Sequence, residues 1–247
     1  MASSNHTDPP QRGLLLAGVI GFAWIFTLIL GLNFPVNRMQ PLAIIFFVIL
    51  RSFLHTGLFI IAHDAMHNSL APGRIKLNEF IGSLCLSFYA GLDYKSCKDN
   101  HLMHHLQPES EADPDFCNSE NQSPFIWYFD FLSHYLNLNQ LFKLTLIMSA
   151  LLVVAVGSEP HPIMTVSTIY IIPLIISSWQ LFYVGTYLPH RKDETNSSPQ
   201  NFIRSISLHP ALSFAACYHF GYHREHHENP GVPWFRLPSM RTPCQTT

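Results

Sequence analysis

"PLAIIFFVILRSFLHTGLFIIAHDAMH", residues 41–67, runs for its first 21 positions with one arginine and one histidine, then closes on H-x-x-x-H. A helix over these residues would be roughly 39 Å long at about 1.5 Å per residue. That is more than the roughly 30 Å of hydrocarbon in a bilayer. His63 and His67 are four residues apart, so they share one helical face, just beyond the length that the apolar run needs to cross. The stretch predicts a membrane span with two imidazoles held at its end.

Three further blocks have the same apolar character. Residues 13–32 carry no charge, 141–157 have a lysine only near the start, and 162–188 have none. A span needs about 20 mainly apolar residues, so four are expected, at about 13–32, 41–62, 141–157 and 163–188, the third being the shortest. Composition agrees: hydrophobic residues make up 48% and charged ones 12%, which argues against a soluble domain. Residues 79–92 and 124–136 are too short or too polar to span and read as interfacial helices. The expected fold is an all-α integral membrane protein: one domain over 1–247, with four transmembrane helices, interfacial helices and a cytoplasmic histidine-box cap.

The segment before the first block, "MASSNHTDPPQR", is polar rather than basic, and the apolar run is too long for a secretory leader, so that helix is expected to be retained. Cys85, Cys97, Cys117, Cys217 and Cys244 form no C-x-x-C pair and no even set, which argues against a disulfide framework. A net charge of −2 gives no case for nucleic acid as a partner.

Four spans put residues 1–12, 62–140 and 189–247 on one side. Arg12, Arg74, Lys76, Lys95, Lys98, Lys143, Arg191, Lys192, Arg204, Arg224, Arg236 and Arg241 lie on or beside it. Arg38 is opposite and Arg51 lies within a span. By the positive-inside rule, the termini and every histidine cluster are cytoplasmic.

The chain has 15 histidines, and H-x-x-H-H occurs twice: His101, His104 and His105, then His223, His226 and His227. Three and four residues apart on a helix, each set can aim imidazoles at a common point. With His63 and His67 these make eight, too many for one zinc ion, which closes at four ligands. They suit two ions of a metal that accepts imidazole, iron among the candidates. The last span, from Ile163 to His190, would be about 40 Å long. His190 would then stand at a similar height as a candidate ninth ligand, although Pro189 is expected to end or bend the helix there.

With these residues in place, "FIIAHDAMHNSLAPGR", "HLMHHLQPESEADPDF", "GTYLPHR" and "YHREHHENPGVPWFRLP" resemble the three histidine boxes of the membrane fatty acid desaturase and hydroxylase superfamily. More narrowly they resemble its bacterial and cyanobacterial β-carotene 4-ketolases, over residues 40 to 240 or so. Asn68 departs from the glycine usual at that position. The resemblance implies two iron ions bound by histidine and water, O2 as co-substrate, and oxidation of β-carotene at C4. Two hydroxylations there would give a geminal diol that loses water, passing through echinenone to canthaxanthin. It also implies an external donor of ferredoxin type, in keeping with a chain that has neither G-x-G-x-x-G nor C-x-x-C-H. A fatty-acyl desaturase or hydroxylase and a carotenoid hydroxylase share the box spacing. A non-catalytic metal- or haem-binding membrane protein is the alternative from another class.

Metal-bound imidazoles usually donate their second N–H to a carboxylate or carbonyl. Asp64, Asp113, Asp115 and Glu225 lie near the boxes, and His219 is one helical turn before His223, so these are candidate supporting residues. Each on its own also reads as a solvated charge or a core histidine. Arg51, in the middle of a span, should face the protein interior, bonded to His55 or another group.

Overall fold

The computed structural model describes residues 10–34, 36–117, 123–158, 160–191 and 203–241; Lys192 and Cys244 lie outside them. Every regular element among these residues is helical. Four helices are long and apolar enough to cross a membrane: α1 (Pro10–Asn33), α2 (Pro41–Met66), α6 (Leu138–Ser158) and α7 (Pro162–His190). Between α2 and α6 lie α3 (Ile75–Ala90), α4 (Tyr94–Leu106) and α5 (Pro124–Tyr135). After α7 come two short helices, α8 (Pro210–Cys217) and α9 (His223–Glu228).

The spans run up and down. Gly13, near the start of α1, meets the chain just past α2 at Leu70. At the opposite end Ser158 Oγ donates to Leu32 O at 3.1 Å. Both histidine-bearing span ends, those of α2 and α7, therefore lie on the same side as the start of α1. Helix α2 is the centre of the bundle, with more than half of its most apolar window buried, whereas only 6% of that of α6 is covered and the remainder presents Leu146, Val153, Val154 and Val156 outward.

Asn68 ends α2 with φ of 57°, a left-handed conformation that glycine and asparagine adopt most easily. The departure from glycine thus keeps the same backbone. Helix α3 does not lie flat along the interface. It runs antiparallel to α2, so that Tyr89 O reaches His55 Nε2 at 2.7 Å, three turns below His67. Gly91, at φ of 67°, reverses the chain against Lys143 of α6. Asp93 then caps α4 by accepting from Ser96 N at 2.8 Å, and α4 climbs back towards the end of α2. Helix α5 does keep an exposed apolar face, Phe125, Ile126 and Phe129, as an interfacial helix should.

Besides Pro162 at its start, helix α7 contains two internal prolines and is neither ended nor broken by them before His190. A π turn, Ser167–Ile171, precedes Pro173, and a second, Tyr183–Tyr187, precedes Pro189. Proline supplies no N–H to the carbonyl four residues back and crowds it; the wider turn absorbs both defects. Ile169 O, which Pro173 cannot engage, accepts Arg51 Nε–H at 2.9 Å. Arg51 is fully buried and also donates from one Nη to Trp24 O at 2.6 Å and Thr27 Oγ1 at 3.0 Å, with its guanidinium 4.8 Å from the centre of the Trp24 ring. His55 is not its partner: that imidazole accepts from Trp24 Nε1 at 3.1 Å and donates to Tyr89 O. One buried cation thus ties α1, α2 and α7 together.

Candidate metal centre

Helix α2 carries His63 at its last turn and His67 immediately beyond; α4 presents His101, His104 and His105; α7 ends at His190; α9 presents His223, His226 and His227. All nine converge. His63, His67, His101 and His226 form one group and His104, His190, His223 and His227 another, with the facing ring nitrogens of each group within 4.8 Å of one another. His105 sits between the groups, its Nε2 2.9 Å from that of His226 and 3.2 Å from that of His101, its ring stacked on His227 at 4.1 Å. Each H-x-x-H-H motif is therefore divided between the two groups, because residues three and four apart on a helix differ enough in direction to reach separate points.

The donor set fits two cations. His67 Nε2 faces His101 Nε2 at 2.7 Å, His190 faces His223 at 2.8 Å, and His227 faces both His104 and His223 at 3.0 Å. A ring nitrogen that carries no proton offers a lone pair, so each group of four can direct several lone pairs at a common point. Both ring nitrogens of His63 are buried without a hydrogen-bond partner, so one of them is available as a ligand. Burial, the largest cause, and the neighbouring imidazoles hold His101, His223 and His226 well below the usual histidine value. Burial with Lys98 nearby lowers His67 to about 4, and burial with His67, His104 and His190 lowers His105 to about 3. These rings are neutral at neutral pH, the form that binds a metal.

Carboxylates orient two of them. Asp113 takes Nδ1 of His104 on both oxygens, at 2.9 and 3.0 Å, and is itself held by N–H groups of Glu109 and Asp115 at 2.8 and 2.9 Å. Burial disfavours the charged ring of His104, but the bond to Asp113 and the nearby Asp115 and Glu109 outweigh it and raise its pKa. Glu109 Oε1 meets Nδ1 of His190 at 3.1 Å. Glu109 was not singled out from the sequence; its position in the acidic loop after the second box was the available signal.

The other candidates sit differently. Asp64 lies 3.7 Å from His63 Nδ1, too far for a hydrogen bond, and accepts Trp234 N–H at 3.2 Å, tying α2 to the C-terminal segment. Asp115 touches no histidine; its Oδ1 accepts Tyr135 Oη–H at 2.6 Å. Glu225 is buried but accepts from Ser205. His219 does not share a helical face with His223, because α8 ends at Cys217 and Tyr218 and His219 adopt left-handed φ of 46° and 64°. Its ring packs on Phe214 and Trp234 instead. Replacing His219 by Ala is expected to leave metal content at the wild-type level, as elemental analysis of the purified protein would show.

An apolar cavity of about 200 Å³ lies below the histidines, between α3, α5, α6 and α7. Its depth is that of Tyr89, which bonds mid-span His55. Phe59, Phe131, Tyr135 and Leu181 line both it and a smaller pocket of about 30 Å³ whose far wall is His63, His101, His104 and His223. Phe220, ring centre 4.8 Å from that of His63, closes the small pocket and rests against Gly185, where any Cβ would overlap it. Gly185→Ala should displace the Phe220 ring and lower turnover about 10- to 100-fold, given how steeply rates fall with small misplacements. Turnover per mole of membrane-inserted protein checks this.

Comparison with known proteins agrees with this geometry. The family model for fatty acid desaturase matches residues 39–154 and 138–245. A β-carotene ketolase of Paracoccus sp. (strain N81106 / MBIC 01143) is 35% identical over 240 residues, covering 97% of this chain and 96% of that protein. A β-carotene ketolase of Paracoccus sp. (strain PC1) is 37% identical over 191 residues, covering 77% of this chain and 76% of that one. A zeaxanthin 4-ketolase of Chlamydomonas reinhardtii is 37% identical over 250 residues, which cover 94% of this chain and 54% of that longer protein. Two groups of four histidines at the ends of apolar helices, and a family match that takes in every one of them, have one explanation: the chain belongs to the fatty acid desaturase family.

Proposed function

We propose that this enzyme is a β-carotene 4-ketolase, which oxidises the ring methylene at C4 twice and carries β-carotene through echinenone to canthaxanthin. The observation that carries the reading is the apolar cavity that shares a wall with the small pocket under the histidines. An apolar cavity of about 150 Å³ is enough to take up benzene, so one of about 200 Å³ suits a six-membered carotenoid ring. Phe59, Phe131 and Leu181 hold that ring with its allylic edge towards the small pocket. The polar groups beside the cavity are already engaged: Ser178 bonds Tyr128 at 2.6 Å and Tyr89 Oη lies 3.4 Å from Ser177 Oγ. An acyl chain would need no such breadth.

His63, His67, His101, His104, His105, His190, His223, His226 and His227 would hold two iron ions, and these would supply reductive activation of O2. Asp113 and Glu109 keep His104 and His190 turned inward. Burial of the inner rings keeps bulk water from the reacting carbon, while His67, His105 and His227 remain partly exposed on the outer side, where electrons from a ferredoxin-type donor would enter. The excess of lysine and arginine on that side supports a cytoplasmic site and cytoplasmic termini. A second hydroxylation at C4 leaves a geminal diol, which loses water to the ketone.

Pigment analysis in a bacterial host that accumulates β-carotene tests the reading. Echinenone and canthaxanthin are the expected products. Zeaxanthin would move the oxidised carbon to C3, and unchanged β-carotene beside iron-loaded protein in the membrane would overturn the assignment.

A further inference from the structure

The small pocket is lined by a polar pair that the two groups of histidines do not use. Tyr135 Oη donates to Asp115 Oδ1 at 2.6 Å, and both side chains line the pocket beside His101 and His104. Asp115 is held rigidly by its backbone alone: its N–H donates to Asp113 at 2.9 Å and its C=O accepts from Trp127 Nε1 at 2.8 Å. The loop is thus already tied to α5 without the carboxyl group. A buried carboxyl group whose pocket also presents Phe59, Met66, Phe131, Leu181 and Phe220 is unfavourable unless it has polar partners. Tyr135 supplies one, and the other oxygen keeps further acceptor capacity.

The first oxidation changes what the pocket must hold. A C4 methylene asks for no hydrogen bond; a C4 hydroxyl does, and the inner histidine nitrogens would be taken up by the metals they hold. We propose that Asp115 and Tyr135 form a hydrogen-bonding subsite that holds the C4 hydroxyl of the once-oxidised ring, so that the same carbon is presented again before the intermediate escapes. This rests on the ketolase reading and deepens it: the pair makes the product a ketone rather than an alcohol. No bond is made or broken in this step. The alcohol donates to the free Asp115 oxygen, and Tyr135 fixes the plane of the carboxyl group.

The test compares Tyr135→Phe and Asp115→Asn with the wild type in a β-carotene-accumulating host, reading 4-hydroxylated against 4-keto products. The expected result is a hydroxy-to-keto ratio at least about tenfold above wild type, equivalent to about 1.4 kcal/mol of selective hold on the alcohol. In membranes, conversion of supplied 4-hydroxy-β-carotene should fall at least tenfold further than the first oxidation of β-carotene. A merely structural tie would lower both oxidations together and leave the ratio unchanged, which overturns the proposal. Absence of both variants from the membrane would likewise assign the pair to folding. A wild-type chain that yields no C4-oxidised pigment would sink the ketolase reading itself, and is seen before any variant is compared.

Discussion

Replacement of His101 by Ala is expected to abolish pigment oxidation and, on the proposed reading of one iron per group, to lower bound iron from two towards one per chain. His101 Nε2 lies 2.7 Å from that of His67 and 3.2 Å from that of His105, so its loss opens one group and unseats the ring between the two. The second group, from His104, His190, His223 and His227, keeps its four members. Iron analysis on purified protein and pigment analysis on the same preparation separate loading from turnover. Asp113→Asn makes the graded companion. It leaves every ring in place but weakens the grip on His104, and loss of such an outer partner typically costs about 10- to 100-fold in metal affinity or activity. An Asp113 variant with full activity and full iron would mean that His104 is oriented by packing alone.

The second large effect is expected far from the histidines. Arg51→Leu should reduce the amount of folded protein in the membrane much more than it reduces turnover per remaining chain. Two opposing terms decide the sign. An arginine at the centre of an isolated span is unfavourable by about 2.5–3.5 kcal/mol on insertion scales, so leucine eases insertion of α2. Within the bundle, however, Arg51 satisfies Ile169 O, Trp24 O and Thr27 Oγ1. Each buried acceptor left unmade costs about 1–3 kcal/mol. Ile169 O has no internal substitute, since Pro173 cannot donate to it. Association of α1, α2 and α7 is the step that suffers. Residual pigment conversion after heating membranes, normalised to protein, measures it; unchanged heat resistance would show that the arginine is dispensable to assembly.

Much of this arrangement could be read before any coordinates. The spans, the height of His63, His67 and His190 and the pairing of histidines on helix faces follow from apolar run length and the rise of a helix. His190 was reachable because α7 holds its direction through Pro189, although the π turn that lets it do so has no signature in a single sequence. Three features were not legible. Spacing places His101, His104 and His105 on one face but cannot say which of two points each ring reaches, because that depends on where α2, α7 and α9 stand. Helix spacing carried back from His223 puts His219 on its face, whereas the chain breaks at Tyr218 and His219, and Gly221 between the two histidines is the one residue whose type signals it. Residues 79–92 looked interfacial by composition, and their polar groups are instead met inside the bundle. Tyr170 Oη bonds Phe88 O and Tyr89 O at 3.0 Å, which stabilises the end of α3 among the spans.

The division of the histidines between groups has a consequence for biosynthesis. One group needs His226 and the other needs His223 and His227, so neither can close until residues 223–227 have left the ribosome. A nascent chain that has inserted α2 and α4 offers His63, His67 and His101 to a metal, an open and weaker set. Both groups can therefore be completed only in a chain whose four span helices and cavity-lining residues have already been made. The order of synthesis thus builds the cavity before the groups of histidines that it faces.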